Sequence, residues 1–131
     1  MSETPESVVR RFLAGGDSVN PEEQAAFFAE DGIFIDGPRG EIRGAQAIRD
    51  EFQNMATMLA NLSNDIKMLV TDGNCVMVER VEAVEVQGHP CEIASVAVFE
   101  FDDERRITRL RDYYDLQSVM EQLNVALSPQ N

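Results

Sequence analysis

The sequence predicts an α+β domain in which three helices pack on the concave face of a curved sheet, mixed or antiparallel, of five to six strands. Apolar residues recur at helical spacings of three and four in the N-terminal half, whereas long extended segments joined by short turns fill the C-terminal half. Helices that precede hairpin-connected strands are typical of this class, because they gather on one face of the sheet. A length of 131 residues suits one core, so we treat residues 1–131 as a single domain.

Two short helices are predicted at the N-terminus. Thr4-Pro5 supplies a capping residue and a proline at the first helical position, and apolar residues then recur at helical spacing over residues 8–13 until Gly15-Gly16. Asn20-Pro21 repeats this start signal. The second helix is short and is predicted to continue to the turn at Asp31-Gly32.

A brief strand and a longer helix follow. Residues 33–36 are apolar up to Asp36 and are followed by a turn sequence at 37–40. Residues 44–60 carry apolar side chains at helical spacing, which predicts a third helix. Met55 and Leu59 on this helix are candidates to line a ligand pocket.

The remaining segments predict an antiparallel meander and a terminal helix. Each junction between the extended segments contains Gly, Asn or Asp, as short hairpin loops require. The four strands are predicted over residues 66–71, 75–86, 91–101 and 107–115. Residues 116–127 return to helical spacing, before the Ser-Pro-Gln-Asn tail at 128–131.

Charge and hydropathy exclude two classes of partner. The chain has 24 acidic and 11 basic residues, a formal net charge of −13, and this surface repels the phosphates of nucleic acids and of anionic lipids. No run of roughly 18 apolar residues is present, and the N-terminus is polar rather than signal-like. We therefore expect a soluble, cytoplasmic protein that binds neither nucleic acid nor membrane.

Neither a metal nor a cofactor is predicted. Cys75 and Cys91 lack the CxxC spacing of zinc sites, and His89 is the single histidine of the chain. The two cysteines are interpreted as small apolar strand residues. The carboxylates do not follow a calcium-loop pattern.

A charged cluster is predicted on an otherwise apolar face of the sheet. Side chains alternate along a strand, so Arg80 and Glu82 share one face. The apolar row that contains them consists of Val76, Val78, Val84 and Val86. The same alternation groups Asp112 with Leu110 and Tyr114 on the last strand, and Asp36 with Phe34 on the first.

Burial of these charges would require them to compensate one another. An isolated buried charge costs several kcal/mol, and Glu82 and Asp112, with Asp36 as a third candidate, compete for the single Arg80. At least one carboxyl group should then keep its proton near neutral pH. A protonated acid beside an ionised one is what general acid-base catalysis needs. The alternative interpretation is a set of cross-strand ion pairs on a solvated face.

Several motifs resemble the limonene-1,2-epoxide hydrolase family of the nuclear-transport-factor-two-like superfamily, which also includes SnoaL-like and ketosteroid isomerase-like proteins. They are FFAEDG at 27–32, ERVEAV at 79–84 and LRDYYDL at 110–116; the family's segments corresponding to the last two read ERVDVL and WRDYFDL. The resemblance implies the cone-shaped fold of that superfamily. It also implies one-step hydrolysis of a small apolar epoxide without metal, cofactor or covalent intermediate.

The resemblance assigns roles to the charged residues. Asp112 would take a proton from the attacking water, Glu82 would protonate the opening oxygen, and Arg80 would bridge and orient the two acids. The family has Asp at the position of Glu82, and it has a water-holding Tyr and Asn at the positions of Phe34 and Asp36. Asp36 is therefore the candidate for positioning water. The predicted substrate pocket consists of Phe34, Met55, Leu59, Val78, Val84 and Tyr114.

Two other functions stay open. Residues 29–36 are similar to the stretch of ketosteroid isomerases that ends in their proton-shuttling Asp, which would make Asp36 the base of an isomerase or cyclase; that family's oxyanion donors match Phe12 and Ala97 here. A binding module without catalysis is the third possibility, because this fold hosts many functions. We also expect a homodimer, since the outer face of the second meander strand is apolar; it carries Cys75, Met77, Val81 and Ala83.

Overall fold

The computed structural model describes residues 3–14 and 20–128. These residues form four α-helices and six strands, with a 3₁₀ turn at Gly37–Arg39. The helices are α1 (Pro5–Leu13), α2 (Pro21–Ala25), α3 (Ala45–Ala56) and α4 (Leu116–Leu127). The strands are β1 (Phe28–Asp36), β2 (Glu41–Arg43), β3 (Leu59–Asp72), β4 (Cys75–Val86), β5 (His89–Phe101) and β6 (Ile107–Tyr114).

All six strands belong to one mixed sheet in the order β2-β1-β6-β5-β4-β3. Neighbouring strands are antiparallel except β1 and β6, which run parallel. The predicted α+β class is therefore confirmed, and the meander lies where the alternation indicated it. The second strand of the meander, β4, begins and ends at the residues that the flanking turn sequences predicted.

The helices cover the face of the sheet that carries the alternating valines of β4. The main core joins α1 and α3 to this face and includes Val8, Val9, Phe12, Ile48, Phe52, Val76, Val78 and Phe99. A smaller cluster lies under α4 and contains Val84, Val86, Cys91 and Ala126. The tail helix is thus a fourth helix on the same face, in addition to the three that were predicted there.

Helix α1 begins where the sequence predicted. The Ser7 backbone N–H donates to Thr4 Oγ1 at 3.1 Å, and the Thr4 N–H donates to Ser7 Oγ at 3.1 Å. This reciprocal pair satisfies two of the N–H groups left open at a helix start. The Gly15-Gly16 stop signal and the tail beyond Ser128 lie outside the described residues.

The second helix is shorter than predicted, and the first strand is longer. Helix α2 ends at Ala25, and β1 starts at Phe28 rather than at Ile33. The Ile107 N–H donates to the Phe27 carbonyl at 2.8 Å, and Phe28 pairs with Ile107 on β6. Hydrogen bonding to a strand 79 residues later in the chain thus overrides the local helical signal. The short strand β2, which pairs with residues 33–35, was not predicted.

The third helix was also predicted too long. Helix α3 ends at Ala56, and Leu59 already belongs to β3, which pairs with β4 along its whole length. The register shifts between Ala60 and Ser63 and again between Ile66 and Met68. Such bulges break the two-residue alternation by which strands are recognised. The first half of β3 was therefore hidden from the sequence pattern.

None of the helices in the described part of the chain is long and apolar enough to cross a membrane.

Candidate active site

A cavity of about 360 Å³ lies between the concave face of the sheet and the helices. Its apolar wall is built from aromatic rings, with centroids 5.6 Å apart for Phe34 and Phe52 and likewise for Phe12 and Phe99. A polar wall is lined by Asn61, Asn64, Arg80, Glu82 and Asp112. The cavity therefore presents one polar wall to whatever enters an otherwise apolar space.

Arg80 is the centre of the polar wall. Its side chain is only 7% exposed, and it donates from Nη1 to Asp112 Oδ1 at 3.1 Å and from Nη2 to Asp112 Oδ2 at 3.1 Å. Nη2 also donates to Glu82 Oε2 at 3.4 Å. The structure thus brings the three predicted residues together, with a bidentate pair to one acid and a single longer bond to the other.

The sheet register explains why Arg80 reaches across to Asp112. β5 lies between their strands, and it places Ala97 directly beside Asp112. Ala97 is also paired with Val78, two residues before Arg80 on the same face. Since alanine ends at Cβ, the guanidinium has room to extend over the middle strand.

The surroundings raise the pKa of both Arg80 and Glu82, but for different reasons. Burial raises the pKa of Glu82, and the negative charges of Asp112 and Asp36 add to that rise, whereas Arg80 opposes it. Burial acts to lower the pKa of Arg80, but Asp112 and Glu82 outweigh it, so the pKa lies above its ordinary value. Arg80 therefore stays charged, and Glu82 keeps its proton to a higher pH than an ordinary glutamate.

Asn64 is a fourth member of the cluster that sequence reasoning missed. Arg80 Nε donates to Asn64 Oδ1 at 2.9 Å, and Asn64 Nδ2 donates to the carbonyl oxygen of Leu13 at 3.1 Å. Asn64 lies between the two bulges of β3, directly opposite Glu82. Continuing the β3 alternation backwards from residue 66 would have placed it on the cavity face, but that segment had been assigned to a loop.

Asp36 does not join this cluster, contrary to the expectation that it competes for Arg80. Its Oδ2 accepts from Arg39 Nη1 at 3.1 Å and its Oδ1 accepts from the Tyr114 hydroxyl at 3.0 Å. Asp36 pairs with Asp112 across β1 and β6, but it is not among the residues that line the cavity. The 3₁₀ turn at Gly37–Arg39 returns Arg39 to this carboxylate, which gives it a counter-ion of its own.

The Tyr114 hydroxyl bonds to Asp36, and Tyr114 does not line the cavity. Burial and the neighbouring charge of Asp36 both raise the pKa of its phenol. The hydroxyl therefore remains a hydrogen-bond donor, and its bond to Asp36 turns it away from the cavity.

The predicted pocket residues divide into two groups. Phe34, Met55 and Leu59 line the cavity, whereas Val78, Val84 and Tyr114 do not. Val78 is completely buried in the core below the cavity, and Val84 packs in the smaller cluster under α4. Alternation places a side chain on the right face of a sheet, but it does not say which helix covers that position.

Within the described residues, no group of three or more His, Cys, Asp or Glu side chains is arranged to hold a metal ion. Cys75 and Cys91 both carry free thiols.

Comparison with known proteins places this geometry in a family. The model of the SnoaL-like domain family matches residues 9–110. No curated protein matches the chain. Among solved structures, a hypothetical protein with a ketosteroid isomerase-like fold from Catenulispora acidiphila, in complex with trimethylamine, is 28% identical with a TM-score of 0.79; the match covers 92% of this chain and 93% of that one.

Two further structures share the fold at lower identity. An LEH-like epoxide hydrolase from M. tuberculosis is 24% identical, with a TM-score of 0.79 over 94% of this chain and 91% of that one. A protein described as a SnoaL-like polyketide cyclase from Shewanella denitrificans is 16% identical, with a TM-score of 0.81 over 92% and 97%. At these identities the likeness establishes the fold alone.

Proposed function

The chain belongs to the SnoaL-like domain family, and on that premise we propose that it adds water to a small apolar epoxide in one acid-base step. The observation that carries this proposal is that one buried guanidinium contacts both Asp112 and Glu82 at the wall of an apolar cavity. An epoxide needs a base for the attacking water and an acid for the leaving oxygen. The two carboxyl groups supply these roles.

Asp112 is the proposed base. Its two oxygens accept the paired donors of Arg80, which is the geometry of a bound carboxylate. It takes one proton from water as the water oxygen bonds to an epoxide carbon.

Glu82 is the proposed acid. Its pKa is raised, so it keeps its proton to a higher pH than an ordinary glutamate, and it donates that proton to the epoxide oxygen as the carbon–oxygen bond breaks. The product is a diol. The proton gained by Asp112 balances the one lost from Glu82, and a transfer between the two restores the starting state.

The cavity suits a small apolar substrate. Its volume of about 360 Å³ is at the lower end of the usual range for ligand sites, roughly 300–1,000 Å³. Aromatic side chains line the cavity together with the charged cluster. The structural likeness to an LEH-like epoxide hydrolase agrees with the same chemistry.

Turnover of a panel of terpene and cycloalkene oxides in oxygen-18 water tests the proposal. We expect diol formation by the wild type, with the label in the diol and none in the protein. Asp112→Asn and Arg80→Ala should each lower kcat by about 100-fold or more and leave the fold intact. Absence of diol above background, or label incorporated into Asp112, would contradict the proposal.

Glu79→Gln is the matched control for Glu82→Gln. Both substitutions replace one carboxyl group of β4 with an amide, but Glu79 is exposed on the opposite face. Activity should fall with Glu82→Gln and remain with Glu79→Gln. Equal losses would show that the rate does not depend specifically on the acid at the cavity wall.

Binding of a small amine is a second candidate function. The 28% identical relative was solved with trimethylamine, and this cavity combines aromatic rings, which attract cations through their faces, with a carboxyl group held by a single 3.4 Å bond. Calorimetric titration with trimethylamine tests it. Binding that is lost in Glu82→Gln but kept in Glu79→Gln would support this function.

The isomerase or cyclase alternative receives less support from the geometry. Asp36, its proposed base, does not line the cavity, and both its oxygens accept hydrogen bonds. Phe12 and Ala97, at the positions of the oxyanion donors, have no donor groups.

A further inference from the structure

We propose that Asn64 is a positioning residue that fixes the rotation of the Arg80 guanidinium, so that its two terminal nitrogens face Asp112. This inference rests on the proposed function for its effect on catalysis, but not for its effect on Arg80 itself. Of the four hydrogen bonds that Arg80 donates, the one from Nε to Asn64 is the shortest, at 2.9 Å.

The guanidinium is a rigid plane, and the partner of Nε determines how that plane is turned. Nε and one terminal nitrogen form one edge of the fork, while the two terminal nitrogens form the other. Because Asn64 accepts from Nε, the edge formed by the terminal nitrogens is left for both oxygens of Asp112. Glu82 receives only the remaining single bond.

Loss of Asn64 would offer the guanidinium a different arrangement. A buried N–H without an acceptor is unfavourable, so Nε would seek another oxygen, and Glu82 lies directly opposite Asn64 in the sheet register. A bidentate bond to Glu82 through the Nε edge would stabilise its ionised form. Glu82 would then be ionised and could not act as the acid of the proposed reaction, and Asp112 would lose one of its hydrogen bonds to Arg80.

Asn64 is itself held in place by a second bond. Its Nδ2 donates to the carbonyl of Leu13, the last residue of α1, at 3.1 Å. An amide is suited to this position because it accepts on one side and donates on the other. Asn64 thus connects the end of α1 to the charged cluster across 51 positions in sequence.

Hydrogen exchange of the Arg80 Nε–H, followed by NMR, tests the inference without any substrate. The resonance is assigned from its absence in Arg80→Lys. Asn64→Leu keeps a similar volume but has no acceptor, and we expect the exchange rate to rise about tenfold or more. Asn64→Asp retains the acceptor for Nε but loses the donor to Leu13, so it should keep slow exchange while lowering the melting temperature.

Asn61→Gly is the matched control. Asn61 is on the same strand and lines the same cavity, but its amide donates to Glu85 Oε2 at 2.7 Å, and its φ of 54° is one that glycine adopts without strain. Exchange at Arg80 should therefore be unchanged in this variant. If Asn64→Leu does not fold, Asn64→Thr replaces it, because threonine suits a strand and its hydroxyl is too short to reach Nε.

Kinetics with an epoxide substrate form the second arm. Asn64→Leu should lower kcat by about tenfold or more with KM nearly unchanged, and it should move the alkaline limb of the pH–rate profile to lower pH. Unchanged exchange in the Leu and Thr variants of Asn64, or equal acceleration in Asn61→Gly, would overturn the inference. If exchange responds as expected but the wild type hydrolyses no epoxide, the positioning role stands and the hydrolase proposal fails.

Discussion

At the scale of single residues, the distinctive feature is the unequal sharing of one guanidinium. Asp112 receives two bonds of 3.1 Å from Arg80, and Glu82 receives one of 3.4 Å. Two acids in similar surroundings would compete for the same proton. The unequal bonding separates them into a base and an acid, which is the condition for the proposed chemistry.

The raised pKa of Glu82 makes a prediction about stability. In the unfolded chain the Glu82 carboxyl group has its ordinary pKa. At a pH between this ordinary pKa and the higher folded-state pKa, the unfolded chain has released the proton, whereas the folded chain still holds it. Stability attributable to Glu82 is therefore complete below the ordinary pKa and declines as pH rises toward the folded-state pKa.

We expect Glu82→Gln to remove this decline. Its free energy of unfolding at neutral pH should be at least that of the wild type, because the amide has no charge to bury. Urea denaturation between about pH 4 and pH 8, with Glu79→Gln as control, measures the difference. A Glu82→Gln variant that is less stable than wild type only at neutral pH would show that folding favours the ionised Glu82, and would contradict a raised pKa for this group.

At the scale of elements, the turn after β1 determines where Asp36 points. Gly37 has φ +50°, and a Cβ added there would lie 2.7 Å from Cε1 of the Tyr114 ring. The turn therefore needs glycine both for its backbone conformation and for the close approach of the ring. This contact holds Tyr114 against Asp36.

Gly37→Ala should destabilise the protein by about 2 kcal/mol, from left-handed strain and the steric clash together. Gly73→Ala is the control, since φ is +59° there, close to that of Gly37, and nothing lies within 4 Å of an added Cβ. Chemical denaturation of both variants measures the effects. A cost at Gly37 no larger than at Gly73 would show that the ring gives way without penalty.

The elements also show how far sequence alone could lead. Strand β4 was predicted correctly because every second side chain is deeply buried and turn residues mark both ends. Strand β3 was only half recognised, since two bulges interrupt its alternation. β2 is only three residues long and pairs only with β1, so the local pattern holds no trace of it.

The same limits apply to the candidate site. Alternation was enough to place Arg80 and Glu82 on one face and Asp112 on the corresponding face of β6. Asn64 was missed because it lies between the bulges of β3. The position of Asp36 depends on the return of Arg39 through a 3₁₀ turn, which no spacing rule for strands describes.

At the scale of the whole molecule, the helices in the described part of the chain cover one face of the sheet and leave the other face uncovered. The concave face lies under the helices, whereas the opposite face leaves large apolar side chains exposed; these include Met68, Val70, Met77 and Tyr113. Met68 and Val70 lie on β3 beside Met77 on β4, with Val70 paired directly with Met77, and Tyr113 lies on β6, one strand beyond β5. We propose that a second copy of the chain covers this face, as the apolar outer side of β4 predicted.

Met77→Asp tests the proposed dimer. A charge at the centre of an apolar interface should weaken association strongly, so light scattering should give twice the mass of one chain for wild type and one chain mass for the variant. Glu104→Gln, on the exposed turn between β5 and β6, is the control. A wild type that is monomeric at micromolar concentration would contradict the proposal.

Direct titration of the Glu82 carboxyl group is the most incisive measurement on this protein. Carbon-13 NMR of the labelled glutamate side chains, with Glu82 assigned by its loss in Glu82→Gln, follows its protonation in the folded state. We predict a midpoint above the ordinary value of 4.5. A midpoint at or below 4.5 would mean that Glu82 holds no proton to give, and the acid-base pair would not exist.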